Sequence, residues 1–129
     1  MQRNGTKVLH KTLKKKWFDM IVSGVKKHEY LEVKPYWIKR LCENFEAEYP
    51  YSIDKIAHLL IEDLTHDIET GLTFDYKHFD IVSANNGYSK DCPNVKWEHK
   101  GISIGQGKPE WGAVPGVKYF ILKIGEIIP

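Results

Sequence analysis

The spacing of apolar residues at the start of the chain predicts a strand followed by a helix. Residues 8–13 alternate weakly between apolar and polar side chains, as a strand does. Trp17, Met20 and Ile21 then fall on one helical face. Gly24 comes just past that face, and glycine often ends a helix because it adopts positive φ without a steric penalty.

The next residues predict a second strand followed by a second helix. Residues 28–33 predict a second strand, and Pro35 suits the first position of a second helix. Trp37, Leu41 and Phe45 share one face of that helix, which predicts that it extends to about residue 45.

The clearest helical pattern lies between a Pro-containing break at residues 49–52 and Gly71. Its apolar stripe consists of Ile53, Ile56, Ala57, Leu60, Ile61, Leu64 and Ile68. Its polar face is acidic, with Glu62, Asp63, Asp67 and Glu69. We interpret residues 53–70 as a packed helix, inserted relative to its surroundings, and as a possible site for a protein partner.

The second half of the chain predicts strands. Residues 79–83, 96–103 and 118–128 have strand character, and Asn85-Asn86-Gly87 is typical of a tight turn. A glycine-containing loop at 105–112 joins the last two strands. Helices early and strands late, without a βαβ rhythm, indicate an α+β fold with a mixed or mostly antiparallel sheet curled into a small barrel.

Length and composition favour one ordered domain spanning residues 1–129. The chain has 129 residues, 42% of them hydrophobic, with four Trp. It has no apolar run of about 18 residues, as a transmembrane helix would need, and its N-terminus lacks the apolar core of a signal peptide. Cys42 and Cys92 form neither a disulfide framework nor a zinc motif. A cytoplasmic location is expected.

Charge is divided unevenly along the chain. Residues 1–40 hold 11 Lys and Arg against 3 Asp and Glu, whereas residues 41–80 hold 2 against 10. The basic block indicates an anionic partner. Alternatively, the two blocks pair with each other in the fold and neutralise.

Residues 23–30 resemble the signature of the ASCH domain, a family related to the PUA fold, whose members carry G-x-K-x-x-E-x-R after the first helix. Gly24, Lys26 and Glu29 match, while Leu31 stands at the Arg position. Further blocks at 34–37, 86–88, 101–105 and 109–112 resemble short ASCH-like proteins of bacteria and their phages.

This resemblance implies a PUA-like β-barrel with packed helices and a cleft lined by the motif. It also implies binding of RNA. Some small members are enzymes, namely an amidohydrolase acting on N4-acetylcytidine and a reported ribonuclease. Lys26 stands where the amidohydrolase has its catalytic Lys, and Glu29 stands where that enzyme has its Thr.

Lys26 and Glu29 are the sharpest chemical candidates. A Lys beside a carboxylate in a cleft could contact a base or phosphate, or exchange protons as a catalytic pair if burial lowers the Lys pKa. The alternative is a structural ion pair between strand and helix. Lys14, Lys15 and Lys16 at the start of the first helix are either an anion site or exposed cations screened by salt.

Other candidates are scattered along the chain. Lys34 and Arg40 lie beside aromatic residues, an arrangement typical of surfaces that stack bases and bind phosphates. Asn86, Tyr88 and Trp111 follow turn residues and could form a second wall of the cleft, with both aromatic rings as stacking candidates. Trp37 fits either the core or a stacking surface.

Three functions therefore remain open. The first is binding of RNA or a nucleotide in a basic cleft, the second is hydrolysis of a modified nucleoside, and the third is a protein interaction through residues 53–70. No cofactor is predicted. Residues 105–107 do not precede a helix as a dinucleotide loop must, and His58, Glu62 and His66 do not match a known metal motif.

Overall fold

The structure is a computed structural model, and it describes residues 6–46, 52–61 and 73–129. The described residues form seven strands, three α-helices and one 3₁₀ helix. In chain order these are β1 (Val8–Leu13), α1 (Lys15–Val22), β2 (His28–Glu32), α2 (Pro35–Leu41), β3 (Cys42–Glu46), α3 (Ile53–Ile61), β4 (Thr73–Tyr76), β5 (Ile81–Asn86), β6 (Asn94–Gln106), the 3₁₀ helix (Pro109–Trp111) and β7 (Lys118–Ile128).

Five strands form one mixed sheet, in the order β1-β5-β6-β7-β2. β1 runs parallel to β5, and the other neighbours in this sheet are antiparallel. The long β6–β7 hairpin pairs Lys96 with Ile128 at one end and Gln106 with Lys118 at the other. The prediction of an α+β fold with a mostly antiparallel sheet is confirmed.

The sheet is curled, which a single ion pair makes plain. Strands β1 and β2 are opposite edges, and in a flat sheet they would lie about 19 Å apart at the usual strand spacing. Nevertheless, Lys11 Nζ of β1 lies 3.6 Å from Glu29 Oε2 of β2. The two edges therefore curve toward each other as a half-barrel, and the space between them becomes the candidate site.

The hydrophobic core fills the inside of this half-barrel and the space beneath the helices. Helix α1 buries Phe18 and Ile21, and α2 buries Ile38 and Leu41. From the sheet come Val82, Trp97, Phe120 and Leu122, all at 0% exposure. Each fully buried side chain of this size contributes about 1.5–3 kcal/mol relative to an exposed one.

Helix α2 is shorter than the sequence predicts. It ends at Leu41, and the next residues form β3, which pairs with β4 through Cys42 and Tyr76. The prediction of a helix reaching Phe45 is therefore wrong, because pairing with a strand some 30 residues away overrides the local helical spacing.

Helix α3 confirms the start of the predicted helix at Ile53 and is described as far as Ile61. The acidic face predicted for residues 62–70 lies outside the described residues. Within the part of the chain that the structure describes, no helix is long and apolar enough to cross a membrane.

The connection from β5 to β6 is longer than a tight turn. Strand β5 continues to Asn86 and β6 begins at Asn94, so the prediction of a tight turn at Asn85-Asn86-Gly87 is wrong. Gly87 does have the expected positive φ, at +92°. The intervening loop carries Tyr88 away from the sheet, where this side chain is 94% exposed.

Candidate functional site

The end of α1 determines where Lys26 lies. Ser23 caps the helix, and Gly24 follows it with φ +84°. The N–H of Gly24 donates to Ile21 O, and the N–H of Val25 donates to Met20 O, as in a Schellman motif. The N–H of Lys26 also donates to Met20 O at 3.0 Å. These bonds turn the chain back sharply, so that the Lys26 side chain points inward.

Lys26 is almost completely buried, at 2% exposure. Its ammonium donates to the carbonyl of Trp111 at 2.6 Å and lies 3.0 Å from Glu29 Oε1. It also lies 4.7 Å from the Trp17 ring centroid and 5.3 Å from that of Tyr30. Burial lowers the pKa of Lys26 below its ordinary value, and the nearby Glu29 carboxylate opposes that effect.

Glu29 connects this buried ammonium to the opposite edge of the sheet. It is 4% exposed, and its Oε1 also accepts the N–H of Tyr30 at 3.1 Å. Its other oxygen, Oε2, faces the Nζ of Lys11. One carboxylate thus lies between two lysines from β1 and from the turn before β2, an arrangement that offsets the cost of burying it.

The loop between β6 and β7 packs against the same residues. A Cβ at Gly107 would lie 2.6 Å from Tyr30 Cζ, and one at Gly112 would lie 3.0 Å from Trp17 Cζ2. The N–H of Lys108 donates to the Tyr30 hydroxyl at 2.9 Å. Glycine at these two positions therefore lets the loop approach both rings closely enough for Trp111 O to reach Lys26.

These elements line an open cavity of about 630 Å³, here called the main cavity. This volume is in the usual range for small-molecule sites. Among the described residues, its lysines are Lys11, Lys14, Lys15 and Lys26, and its aromatic residues are Trp17, Tyr30, Tyr88, Trp111 and Tyr119. Asn86, Thr12, Glu29 and Glu32 supply further polar groups. The combination of cations, rings and an amide suits a ligand that has both a phosphate and a base.

The N-terminus of α1 adds to the positive potential of the main cavity. Lys14 occupies the N-cap position without a side-chain hydrogen bond, and the first turn contains no acidic residue. Cations at this end of a helix are unfavourable by about 0.3–1 kcal/mol each. Both Lys14 and Lys15 are exposed at the cavity, and Lys15 pairs with Asp19 one turn later.

A second cavity of about 400 Å³, here called the side cavity, adjoins the main one. Its lining includes Lys34, Tyr36 and Trp37 from the start of α2, together with His10 and Asn85. Lys11, Thr12 and Tyr88 line both cavities.

The structure brings together most of the residues singled out in the sequence. Lys26, Glu29, Asn86, Tyr88 and Trp111 all line the main cavity. Lys34 instead lines the side cavity, where its Nζ lies 3.7 Å from Glu32 Oε2.

Arg40 lies in neither of the two cavities. Its guanidinium stacks 3.4 Å from the ring centroid of Tyr36, and Nη1 donates to Tyr36 O. Tyr36 does line the side cavity, so Arg40 supports that ring from behind. The sequence left open whether Trp37 belongs to the core or to a stacking surface. In the structure it is partly buried against the core and also lines the side cavity.

Sequence reasoning missed Lys11 and Thr12. Both are on β1, whose alternation predicted a strand without indicating which side chains would meet β2. Trp17 and Tyr30 were also missed as site residues, because their positions are those of ordinary core aromatics. No local signal marks these four residues, since the curl of the sheet and the loop at 107–112 bring them together.

The glycine pair Gly105 and Gly107 and the buried Cys42 have structural roles. Gly105 and Gly107 lie at the end of β6 and in the loop that packs on Tyr30, without a nucleotide-binding helix after them. Burial raises the pKa of the Cys42 thiol to about 12, so this cysteine is a protonated core residue at neutral pH.

Comparisons of this chain with protein-family models, with curated proteins and with solved structures give no match. Inferences about function therefore depend on the geometry of the main cavity and on the residues that resemble the ASCH signature.

Proposed function

We propose that this chain is a single ASCH/PUA-like domain that binds single-stranded RNA or a nucleotide in the main cavity, as a cytoplasmic protein. The observation that carries the proposal is the presence of a lysine cluster and several aromatic rings in one cavity of about 630 Å³. Recognition of unpaired RNA typically combines stacking on aromatic rings with contacts from cations to phosphates.

The residues of the cavity divide into two groups with different roles. Lys26 and Glu29 are buried and paired with each other, so they form its floor. Lys14 and Lys15 are exposed at its rim, where a phosphate can reach them without breaking a buried ion pair. We assign phosphate contact first to the rim lysines. Lys11 is a further contact, although its side chain is only 16% exposed and is paired with the buried Glu29. We assign stacking to Tyr88, whose ring is open to solvent.

Asn86 and Glu29 are suited to reading a base edge. An amide offers both donors and an acceptor, whereas a carboxylate only accepts. Trp111 is less available for stacking than Tyr88, because its ring already contacts His28 edge to face at 5.3 Å and the Lys108 ammonium at 4.4 Å. Trp111 instead serves mainly as a wall whose carbonyl holds Lys26.

The test is fluorescence anisotropy of a labelled single-stranded RNA pool with the wild type, Lys14→Gln and Lys16→Gln. Lys16 is the matched control, because it is an exposed lysine of the same helix turn that lies over the Trp17 ring outside the cavity lining. We expect Lys14→Gln to weaken binding about 10-fold or more, consistent with the loss of one hydrogen bond to a charged group, and Lys16→Gln to weaken it less than 2-fold. Absence of binding by the wild type at low salt would refute the proposal.

A second function, hydrolysis of a modified nucleoside, is favoured by one specific observation. Lys26 combines burial, a lowered pKa and a carboxylate partner inside an open cavity, and this combination is common among catalytic groups. In this alternative, Glu29 would activate water, and Lys26 would protonate the leaving amine as the acyl–nitrogen bond of an N4-acylated cytidine breaks.

Chromatographic detection of cytidine and acetate from N4-acetylcytidine tests this second function. A hydrolase should release both products in equal amounts, and Glu29→Gln should abolish the release in protein that is still folded by circular dichroism. Complete recovery of the substrate after prolonged incubation with the wild type would exclude this activity.

A further inference from the structure

The main and side cavities are joined along β1 and the loop after β5. Lys11 and Thr12 from β1, and Tyr88 from the loop, line both cavities. Because Tyr88 is 94% exposed, its ring projects at this junction and is not part of the core. The two volumes, about 630 and 400 Å³, each lie within the range of a small-molecule site.

The two cavities repeat the same chemical groups. The main cavity offers Asn86, and the side cavity offers the preceding residue of the same strand, Asn85. Successive residues of a strand point to opposite faces, so β5 can present one amide to each cavity. The Asn85 Oδ1 accepts from Asn94 Nδ2 at 2.7 Å, which leaves its amide N–H groups to face a ligand. The side cavity also has its own aromatic pair, Tyr36 and Trp37, in edge-to-face contact at 4.8 Å between centroids.

Each cavity also has its own rim cation. Lys34 is half-exposed at the side cavity, as Lys14 is exposed at the main one. Each cavity therefore holds an amide, aromatic rings and a lysine, which are the groups needed to hold one base with its phosphate.

Lys11 lies between the groups of the main cavity and those of the side cavity. Its ammonium lies 3.6 Å from Glu29 Oε2, in the main cavity, and 5.3 Å from the ring centroid of Trp37, in the side cavity. A cation placed between two base-sized compartments is suited to the phosphate that links two nucleosides.

We propose that the main and side cavities are adjacent nucleotide subsites, so that the ligand is single-stranded RNA of at least two nucleotides, with the linking phosphate at Lys11. This inference rests on the proposed function and specifies its substrate class. Tyr88 separates the two bases, and Lys34 and Tyr36 contact only the nucleotide in the side cavity.

Isothermal titration calorimetry with nucleoside 3′-monophosphates and the corresponding dinucleoside monophosphates tests this proposal for each of the four bases. The monophosphate carries about −1.5 to −2 charges at neutral pH, whereas the linking phosphodiester carries one. Tighter binding of a dinucleotide therefore cannot come from added charge. We expect at least one dinucleotide to bind 10-fold or more tightly than its 3′-monophosphate.

The variants Lys34→Ala and Tyr36→Ala test whether the tighter binding of the dinucleotide comes from the side cavity. Each should remove most of the dinucleotide advantage while changing the affinity for the monophosphate less than 2-fold. Lys100→Ala is the matched control, because Lys100 is also an exposed lysine paired with the carboxylate two residues before it, Glu98, and lines neither cavity. Lys100→Ala should retain the full advantage.

The outcomes separate the two proposals. If monophosphates bind and dinucleotides bind no more tightly, the adjacent subsites are refuted and the proposed function stands. The same holds if the advantage persists in both side-cavity variants. If neither monophosphates, dinucleotides nor longer RNA bind, both proposals fail together.

Discussion

At the scale of single residues, the buried ion pair between Lys26 and Glu29 carries a large desolvation cost. Removing two charges from water is unfavourable, and only close pairing and hydrogen bonds offset that penalty. Here the pairing involves the Trp111 carbonyl and the Tyr30 N–H as well as the two side chains. Such a pair holds three parts of the chain in one arrangement, which gives it a structural role even if a ligand also contacts it.

The two single substitutions in this pair should together destabilise the fold more than the double substitution does. We expect Lys26→Met and Glu29→Gln each to lower the free energy of unfolding by about 3 kcal/mol, because each leaves a buried group without its main partner. The double variant should lose at least about 1 kcal/mol less than the two losses added. Urea denaturation of the four proteins measures this coupling.

The exposed pair Lys34–Glu32 provides the control for this cycle. Because both side chains are largely in water, Lys34→Met should change the free energy of unfolding by less than about 1 kcal/mol. Strict additivity of the two buried substitutions would contradict a coupled pair.

His99 should make the stability depend on pH in the weakly acidic range. Burial, and then the nearby His78, lower the pKa of His99 from its ordinary value of 6.5. As the pH falls below 6.5, the unfolded chain takes up a proton at this residue before the folded protein does, so the free energy of unfolding decreases. The decrease continues until the pH reaches the folded-state pKa.

Urea denaturation of the wild type and His99→Gln between about pH 5 and pH 7.5 isolates this effect from other titrating groups. The wild type should lose stability faster than the variant on acidification, by at most about 1.4 kcal/mol per pH unit. Parallel curves for the two proteins would show that the pKa of His99 is the same in the folded and unfolded states.

At the scale of secondary-structure elements, the Schellman motif that ends α1 is what orients Lys26. Gly24 and Gly116 have nearly identical φ angles, +84° and +83°. A Cβ at Gly24 would make an ordinary contact with Lys27 Nζ at 3.7 Å, and one at Gly116 would meet nothing within 4 Å. Alanine at either should therefore cost about 1–2 kcal/mol of stability through backbone strain alone. Only Gly24→Ala should also weaken RNA binding, measured by anisotropy, because that turn positions the Lys26 cation, whereas the turn at Gly116 contributes only the apolar Val114 to the main cavity.

Gly116→Ala controls for loss of stability as such. It lies in the loop before β7 and should bind RNA like the wild type once the folded fractions are matched. Equal effects of the two substitutions on affinity would mean that the end of α1 does not control the site.

The elements that could be predicted from the sequence are those whose signals are local. Strand β7 was predicted with the bounds that the structure shows, and Gly24 was predicted as the positive-φ residue that ends the first helix. Strands β3 and β4 were missed, since their pairing joins distant segments and shifts register between Glu43 and Glu46. Helical spacing around Leu41 gave a competing local signal, and tertiary pairing overrode it.

At the scale of the whole molecule, the site depends on the curl of the sheet. Residues 24–29 could be identified from the sequence because Lys26 and Glu29, whose side chains form the ion pair, are only three residues apart. Lys11 could not be identified, because its distance from Glu29 is fixed only when the opposite edges of a five-stranded sheet approach each other. The cavity is thus lined by residues from strands far apart in sequence, and no local sequence pattern shows that these strands come together.

The charge distribution bears on how strongly the site would attract the RNA ligand that we propose. Within the described part of the chain, Lys11, Lys15, Lys26 and Lys34 pair with Asp19, Glu29 and Glu32, which are carboxylates of the same basic block. Three carboxylates cannot cancel the 11 basic residues of positions 1–40. Pairing within the block therefore leaves it with an excess of positive charge, which an anionic ligand would complement.

The salt dependence of binding should count the lysines that contact phosphates. Our proposals place Lys11, Lys14, Lys15 and Lys34 within reach of an RNA strand that occupies both cavities. Each phosphate neutralised on a single strand contributes about −0.7 to the slope of log K against log salt. Three or four contacts therefore predict a slope of about −2 to −3.

Anisotropy titrations of a labelled RNA over a series of salt concentrations measure this slope for the wild type, Lys14→Gln and Lys16→Gln. Lys14→Gln should make the slope shallower by about 0.7, because one phosphate contact is lost. Lys16→Gln removes the same charge from the same helix turn without removing a proposed phosphate contact, since Lys16 lies over the Trp17 ring and does not itself line the cavity, so its slope should equal that of the wild type. If both variants reduced the slope equally, RNA would be responding to the overall charge of the basic block, and the main cavity would not be its binding site.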